Sequence, residues 1–202
     1  GRMTLPLAKM GFSVNLCDIS PKMLNVARQK MIRDGVSDKV DISECDICNL
    51  PFSDESFDFV ICWDGGFEAA KELIRVTKHG GKISVYLINR WGAAIDNFYK
   101  DSDQALTLIE STSSHVYHHE EKHMAISAEE ARNSFEAGGI RVIDVYAVCG
   151  WMNVLSIPEK TLKSHDWDEK EFRRTAEMVL KLSKEPSVRG VSKHLVLYGK
   201  RI

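Results

Sequence analysis

Along the chain, short apolar runs with a period of two alternate with longer stretches in which apolar residues recur every three or four positions. Ser13–Cys17 (SVNLC) reads as a strand and is followed at once by a helix start, with Ser20 as N-cap and Pro21 at the first helical position. That helix carries Leu24, Ala27 and Met31 on one side, and Asp34-Gly35 ends it. A strand near Val40–Cys45 comes next, then the almost unbroken apolar run Phe57–Cys62, as expected of a strand covered on both faces. Phe67, Ala70, Leu73 and Ile74 predict a further amphipathic helix, closed by Gly80-Gly81 before a strand over Ile83–Ile88. Strand and helix repeat here without hairpin signals, which predicts a parallel sheet covered by helices.

The pattern loosens between Trp91 and His123, where helical spacing mixes with polar residues and four histidines. An insertion over about residues 91–126 is expected. Order returns with Ser127-Ala128-Glu129-Glu130, a capping-box pattern, and a helix ended by Gly138-Gly139 ahead of the strand Ile140–Val148. A helix around Glu171–Lys184, with Phe172, Ala176, Val179 and Leu180 turned inward, precedes a last strand at His194–Tyr198.

Composition narrows the function classes. A chain of 202 residues suits one domain with a single core, so residues 1–202 are expected to form one unit. With 27 Lys and Arg against 29 Asp and Glu the formal charge is −2, which provides no broad positive field for a phosphate backbone, and nucleic acid is not expected as a partner. Five cysteines, an odd number scattered through apolar segments, do not form a disulfide framework and fit a reducing cytoplasm. No stretch approaches the roughly 20 apolar residues of a membrane helix, and no targeting segment is seen at this N-terminus, so a soluble, untargeted protein is expected. A homo-oligomer is compatible with all of this.

In an open parallel sheet, ligands bind beyond the carboxyl ends of the strands. Asp18 follows the first strand and can accept hydrogen bonds from both hydroxyls of a ribose; as a bare helix-entry acid it would only favour the macrodipole. Asp46 follows the next strand, placed either to accept from an exocyclic amine or to make a turn. Trp63-Asp64 and Asn89-Arg90-Trp91 follow the strands after that. Two such acids, without a lysine-bearing phosphate loop, suggest an adenosyl ligand that carries no polyphosphate.

Three segments resemble, in order and spacing, the motifs of class I S-adenosylmethionine-dependent methyltransferases, closest to the small-molecule branch with the menaquinone and ubiquinone C-methyltransferases. They are Asp18-Ile19-Ser20-Pro21-Lys22-Met23-Leu24, the run from Cys45-Asp46-Ile47-Cys48 through Phe52-Ser53 to Asp58, and Glu72 through Lys82. The resemblance covers about residues 1–90. It implies a Rossmann-like three-layer α/β sandwich with a mostly parallel seven-stranded sheet and an antiparallel last strand. Residues 1–90 would form the cofactor-binding half and residues 91–202 the acceptor-side half. The cofactor implied is S-adenosyl-L-methionine, with Asp18 on the ribose and Asp46 and the backbone of Ile47 on adenine. Ile19 and Met23 would flank the ring, and Trp63-Asp64 would lie near the methionine end. Gly1 resembles the last glycine of the family's G-x-G-x-G loop, so the first strand and most of that loop are expected to precede it. The direct run of Asp64-Gly65-Gly66 into Phe67 is shorter than the family's loop.

The implied activity is methyl transfer to a small-molecule acceptor. Trp63-Asp64-Gly65-Gly66 differs from the Asn/Asp-Pro-Pro-Tyr pattern of enzymes that methylate adenine or glutamine, which argues against those substrates. Asp64, His119 and His123 are candidates for a general base, Asp64 also for a cofactor contact or a loop cap. His115, His119 and His123 would share a face in a helix, but no matching carboxylate supports a metal, and none is expected. Cys45-x-x-Cys48 has no second pair and reads as buried thiols. Trp91 and Trp151, at predicted strand ends, are candidates for holding a planar, apolar or cationic acceptor. Two other readings stand beside this one. A methyltransferase-fold binding or regulatory subunit without catalysis would suit an incomplete cofactor loop, and an NAD-dependent oxidoreductase would also use the first acid, though not the second.

Overall fold

The computed structural model describes residues 1–63, 66–98, 100–111, 115–118, 121–148 and 168–202. They fall into two compact units, Gly1–Ser53 and Asp54–Ile202. No helix among them is long and apolar enough to cross a membrane.

The first unit runs α1 (Thr4–Lys9), β1 (Val14–Asp18), α2 (Pro21–Arg33), a 3-10 turn at Ser37–Lys39 and β2 (Val40–Glu44). α2 starts where the sequence predicts: the Ser20 side chain accepts from the Met23 backbone N–H and Pro21 opens the helix. Asp34 caps its end, and Gly35 follows at φ 67°, a left-handed conformation that glycine takes without strain. Leu24, Ala27 and Met31 are buried as their spacing requires, and Met31 packs with Ala8 and Val36 in a small core bordered by Leu5 and Val40. β1 and β2 pair in parallel, Cys17 opposite Ser43 and Asp18 opposite Glu44. Asp18 is thus the last residue of β1.

The second unit holds β3 (Phe57–Cys62), α3 (Ala70–Val76), β4 (Thr77–Asn89), α4 (Arg90–Asn97), α5 (Ser102–Glu110), β5 (His115–His118), β6 (Glu121–Ile126), α6 (Ala128–Ala137), β7 (Ile140–Val148), α7 (Glu169–Leu182), α8 (Pro186–Val191) and β8 (His194–Arg201). Its sheet runs β5-β6-β4-β8-β7, with β3 also paired to β4. β4 is the spine: β3 lies parallel along one side and β8 antiparallel along the other, which is why Ile83, Val85, Leu87 and Ile88 are all buried. The α/β class and the antiparallel last strand are as expected. The single seven-stranded, mostly parallel sheet is not, because the described strands form a two-stranded parallel sheet and a six-stranded mixed one.

Two further expectations are corrected, and the segment expected as an insertion is described between them. The helix predicted to close at Gly80-Gly81 ends at Val76 and the strand starts at Thr77. Its terminal carbonyls are taken by long-range donors: Glu55 and Ser56 N–H bind Arg75 and Val76, while Arg201 reaches the carbonyls of Ile74, Arg75 and Thr77. With those acceptors satisfied, another helical turn gains nothing. The 91–126 segment resolves into two helices and an antiparallel hairpin, His115 opposite Met124, whose second strand joins β4 in parallel at Ile88 and Asn89. Finally, α7 has the predicted amphipathic pattern but buries no residue; Phe172 is 62% and Leu180 65% exposed. Local terms support this helix: the Asp168 cap on Glu171 N–H and the ion pairs Glu169–Arg173 and Glu177–Lys181 one turn apart.

Candidate functional site

Each unit presents its candidate residues at the carboxyl ends of its parallel strands. In the first unit, one oxygen of the Asp18 carboxylate accepts from Ser20 N–H at 2.8 Å, while its backbone carbonyl accepts from Cys45 N–H at 3.2 Å, extending the ladder one residue past β2. Asp46 repeats the device: Oδ1 accepts from Cys48 N–H at 2.8 Å, and its carbonyl accepts from Asn49 N–H. In both acids the second oxygen has no protein partner among the described residues. Ile19 and Met23, on the same end, are 68% and 54% exposed, and Ile47 is half-buried. Large apolar side chains left in water beside two half-satisfied carboxylates make a surface with unused capacity for a ligand that is part polar and part planar. Gly1 packs on α2, where an added Cβ would lie 3.1 Å from the Ala27 Cβ, so a glycine belongs at this close approach.

Cys17 and Cys45 are half-buried, but Cys48 is exposed, which corrects the expectation of two buried thiols in Cys45-x-x-Cys48. The Asp46 turn holds Cys48 at the surface.

In the second unit, Trp63 stands just past β3, nearly half exposed, with its indole N–H donating to the Ser84 hydroxyl at 3.2 Å. Asp64, His119 and Trp151 lie outside the described residues. His123 is buried on β6 and faces a cavity no larger than about one water, shared with Glu68 and Tyr86. The helix that would have aligned His115 with His123 does not form, because both lie on the β5–β6 hairpin. No group of three or more His, Cys, Asp and Glu among the described residues is placed to hold a metal ion.

The β4 end is built from distance. Asn89, 1% exposed, donates its amide to the carbonyls of Arg189, Gly190 and Ser192 and accepts from Trp91 N–H, so it fastens the end of α8 over the start of α4. Gly92 allows this closeness, since a Cβ there would come within 2.2 Å of the Ser192 carbonyl oxygen. The Arg90 guanidinium lies 4.4 Å from the centroid of the Trp91 ring, donates to the Ser111 carbonyl and pairs with Glu130 at 3.0 Å. Trp91, 38% exposed, borders an open groove of about 230 Å³ with Ser127, Glu129, Pro186 and Arg189. The strand-end reading named Asn89-Arg90-Trp91 together but gave a role only to Trp91, and it did not reach Arg189. The adjacent Arg90-Trp91 pair was the signal available, and its meaning depends on partners far along the chain.

The methyltransferase-domain family matches residues 1–81. An uncharacterized protein of Mycobacterium tuberculosis is 34% identical over 91 residues, which are 42% of this chain and 32% of that protein. A ubiquinone/menaquinone biosynthesis C-methyltransferase of Pseudomonas aeruginosa is 38% identical over 78 residues, 36% of this chain and 30% of that one. The matched region spans about a third of the length of these relatives. Among solved structures, geranyl diphosphate C-methyltransferase from Streptomyces coelicolor, in complex with Mg2+, geranyl diphosphate and S-adenosyl-L-homocysteine, aligns with a TM-score of 0.60 at 12% identity, over 100% of this chain and 67% of that one. The [4+2]-cyclase SpnF aligns with a TM-score of 0.60 at 16% identity, over 98% of this chain and 70% of that one. Residues 1–81 thus match the methyltransferase-domain family, a stretch of the chain is similar in sequence to a ubiquinone/menaquinone C-methyltransferase, and the chain shares a Rossmann-like fold with solved methyltransferase structures.

Proposed function

We propose that this protein binds S-adenosyl-L-methionine and transfers its methyl group to a small-molecule acceptor. The observation that carries this reading is the pair Asp18 and Asp46, at the ends of two adjacent parallel strands, each with one carboxylate oxygen committed to a backbone N–H two residues on. That bond orients each acid and leaves its other oxygen for a ligand donor. The donor set fits an adenosyl group: Asp18 takes ribose hydroxyls, Asp46 and the Ile47 backbone take adenine, and Ile19 and Met23 cover the ring faces. Gly1 allows close approach of the backbone, and Trp63 and Asp64 are assigned to the cofactor as well.

The cofactor supplies a methyl group already activated on a sulfonium, so the protein has to align the acceptor, exclude water and, for an oxygen or carbon nucleophile, remove a proton. We assign Asp64, His119 and His123 as candidates for that base. Trp91, on the groove at the β4 end, and Trp151 are assigned to the acceptor. The exposed Trp91 ring supports a planar, apolar or cationic acceptor.

Titration calorimetry with S-adenosylmethionine, NAD in parallel and Asp18→Ala as control tests the reading. Micromolar binding of S-adenosylmethionine, lost in the variant, is expected. Binding of NAD alone would move the chain to the oxidoreductases, and binding of neither would end the proposal. Binding without turnover across a broad acceptor screen would favour a non-catalytic subunit.

A further inference from the structure

Of the polar side chains that line the groove beside Trp91, the fold engages all but one. Asn89 spends its amide on the carbonyls of Arg189, Gly190 and Ser192 and its oxygen on Trp91 N–H. Ser127 accepts from Glu130 N–H. Arg189 donates to the Val145 carbonyl at 3.1 Å and lies 3.6 Å from the Asp144 carboxylate. The exception is Glu129, whose exposed carboxylate has neither a hydrogen bond nor an ion pair among the described residues.

The frame around Glu129 is set by the fold alone. Arg90 at the start of α4 pairs with Glu130 in the first turn of α6, and Asn89 fastens α8 over α4, so three helix ends are cross-linked around the groove. At about 230 Å³ it is smaller than the roughly 300–1,000 Å³ that encloses a drug-sized ligand, and so suits a small molecule or one end of a larger one. Arg90 and Arg189 are each faced by a carboxylate, which leaves Glu129 to set the local charge. The Arg90 guanidinium over Trp91 already uses the attraction of that ring for a cation, so the ring serves a ligand as a flat apolar wall.

We propose that this groove selects a small molecule carrying an ammonium group, with the ammonium on Glu129 and the apolar body against Trp91 and Pro186, and that the methyl acceptor is of this class. The acceptor role rests on the function proposed above; the charge preference does not. An ionised carboxylate accepts hydrogen bonds and donates none, so it favours an ammonium over a neutral isostere and disfavours an anion. As a first-turn acid of α6, Glu129 also complements the helix dipole, but that role gives no preference among ligands.

The full chain is titrated, by ligand-observed NMR at neutral pH, with benzylamine, benzyl alcohol and benzoate, which share a ring and differ in charge. Benzylamine should bind about fivefold more tightly than the alcohol, about 1 kcal/mol, as for a partly exposed ion pair, and benzoate should bind most weakly. Glu129→Gln, at an exposed position, should remove the preference for the amine, while Trp91→Ala should weaken amine and alcohol together and keep their ratio. Equal binding of amine and alcohol, benzoate binding first, a preference that survives in Glu129→Gln, or no detectable binding of any of the three overturns the proposal. Calorimetry with S-adenosylmethionine separates the two readings: cofactor binding without an amine preference removes this inference alone, and an amine preference without cofactor binding removes the acceptor role together with the methyltransferase reading.

Discussion

The two ends at which candidate residues gather are built in opposite ways. At the end of β1 and β2 the carboxylates of Asp18 and Asp46 are held by N–H groups two residues on. At the end of β4, Asn89 is held by carbonyls 100 to 103 residues away, and Arg90 by Ser111 and Glu130. The first arrangement is a property of short peptide segments placed at a strand end. The second exists only when the sheet, α4, α6 and α8 are assembled. A local device should therefore tolerate damage elsewhere and lose only ligand binding when it is cut, whereas the distant one should lose stability first.

The largest effect that follows is for Asn89→Leu. Removing the amide leaves the carbonyls of Arg189, Gly190 and Ser192 without their donor, and a loss of about 3 kcal/mol in urea denaturation is expected. A loss below about 1 kcal/mol would show that water replaces the amide and that the β4 end is not held from a distance. Asp18→Ala comes next: S-adenosylmethionine affinity should fall about fiftyfold, as charged hydrogen bonds contribute roughly 1.5–3 kcal/mol, with the unfolding midpoint little changed. Equal losses of stability and affinity would erase the contrast between the two ends. Asp46→Asn keeps an oxygen for the Cys48 N–H and removes the charge, so calorimetry should show about tenfold weaker binding with an intact fold. The smallest effect is expected for Phe172→Ser on α7, within about 0.5 kcal/mol of wild type, because the ring is already in water. A large loss on heating would show that this face is covered in the working protein.

The same contrast decides what could be read without the structure. The start of α2, the capping box of α6 and the span of β7 follow from neighbours within four residues, and each stands where the pattern places it: Ser127 accepts from Glu130 N–H while Glu130 returns the bond to Ser127 N–H. The end of α3 was misplaced because the donors that stop it, Glu55, Ser56 and Arg201, are remote in sequence. The inward face assigned to α7 failed for a related reason. Amphipathic spacing says which side is apolar, not that another element covers it.

By itself, then, the sequence determined the α/β alternation, the caps, the acids at the strand ends and, by resemblance, the similarity of residues 1–81 to methyltransferase domains, because each depends on residue type and short spacing. Tertiary structure alone decided the pairing of the strands, the hairpin made from the histidine-rich segment and the groove beside Trp91. Those depend on which distant backbone groups meet. A hydrogen bond across a hundred residues leaves no periodicity in the chain that makes it.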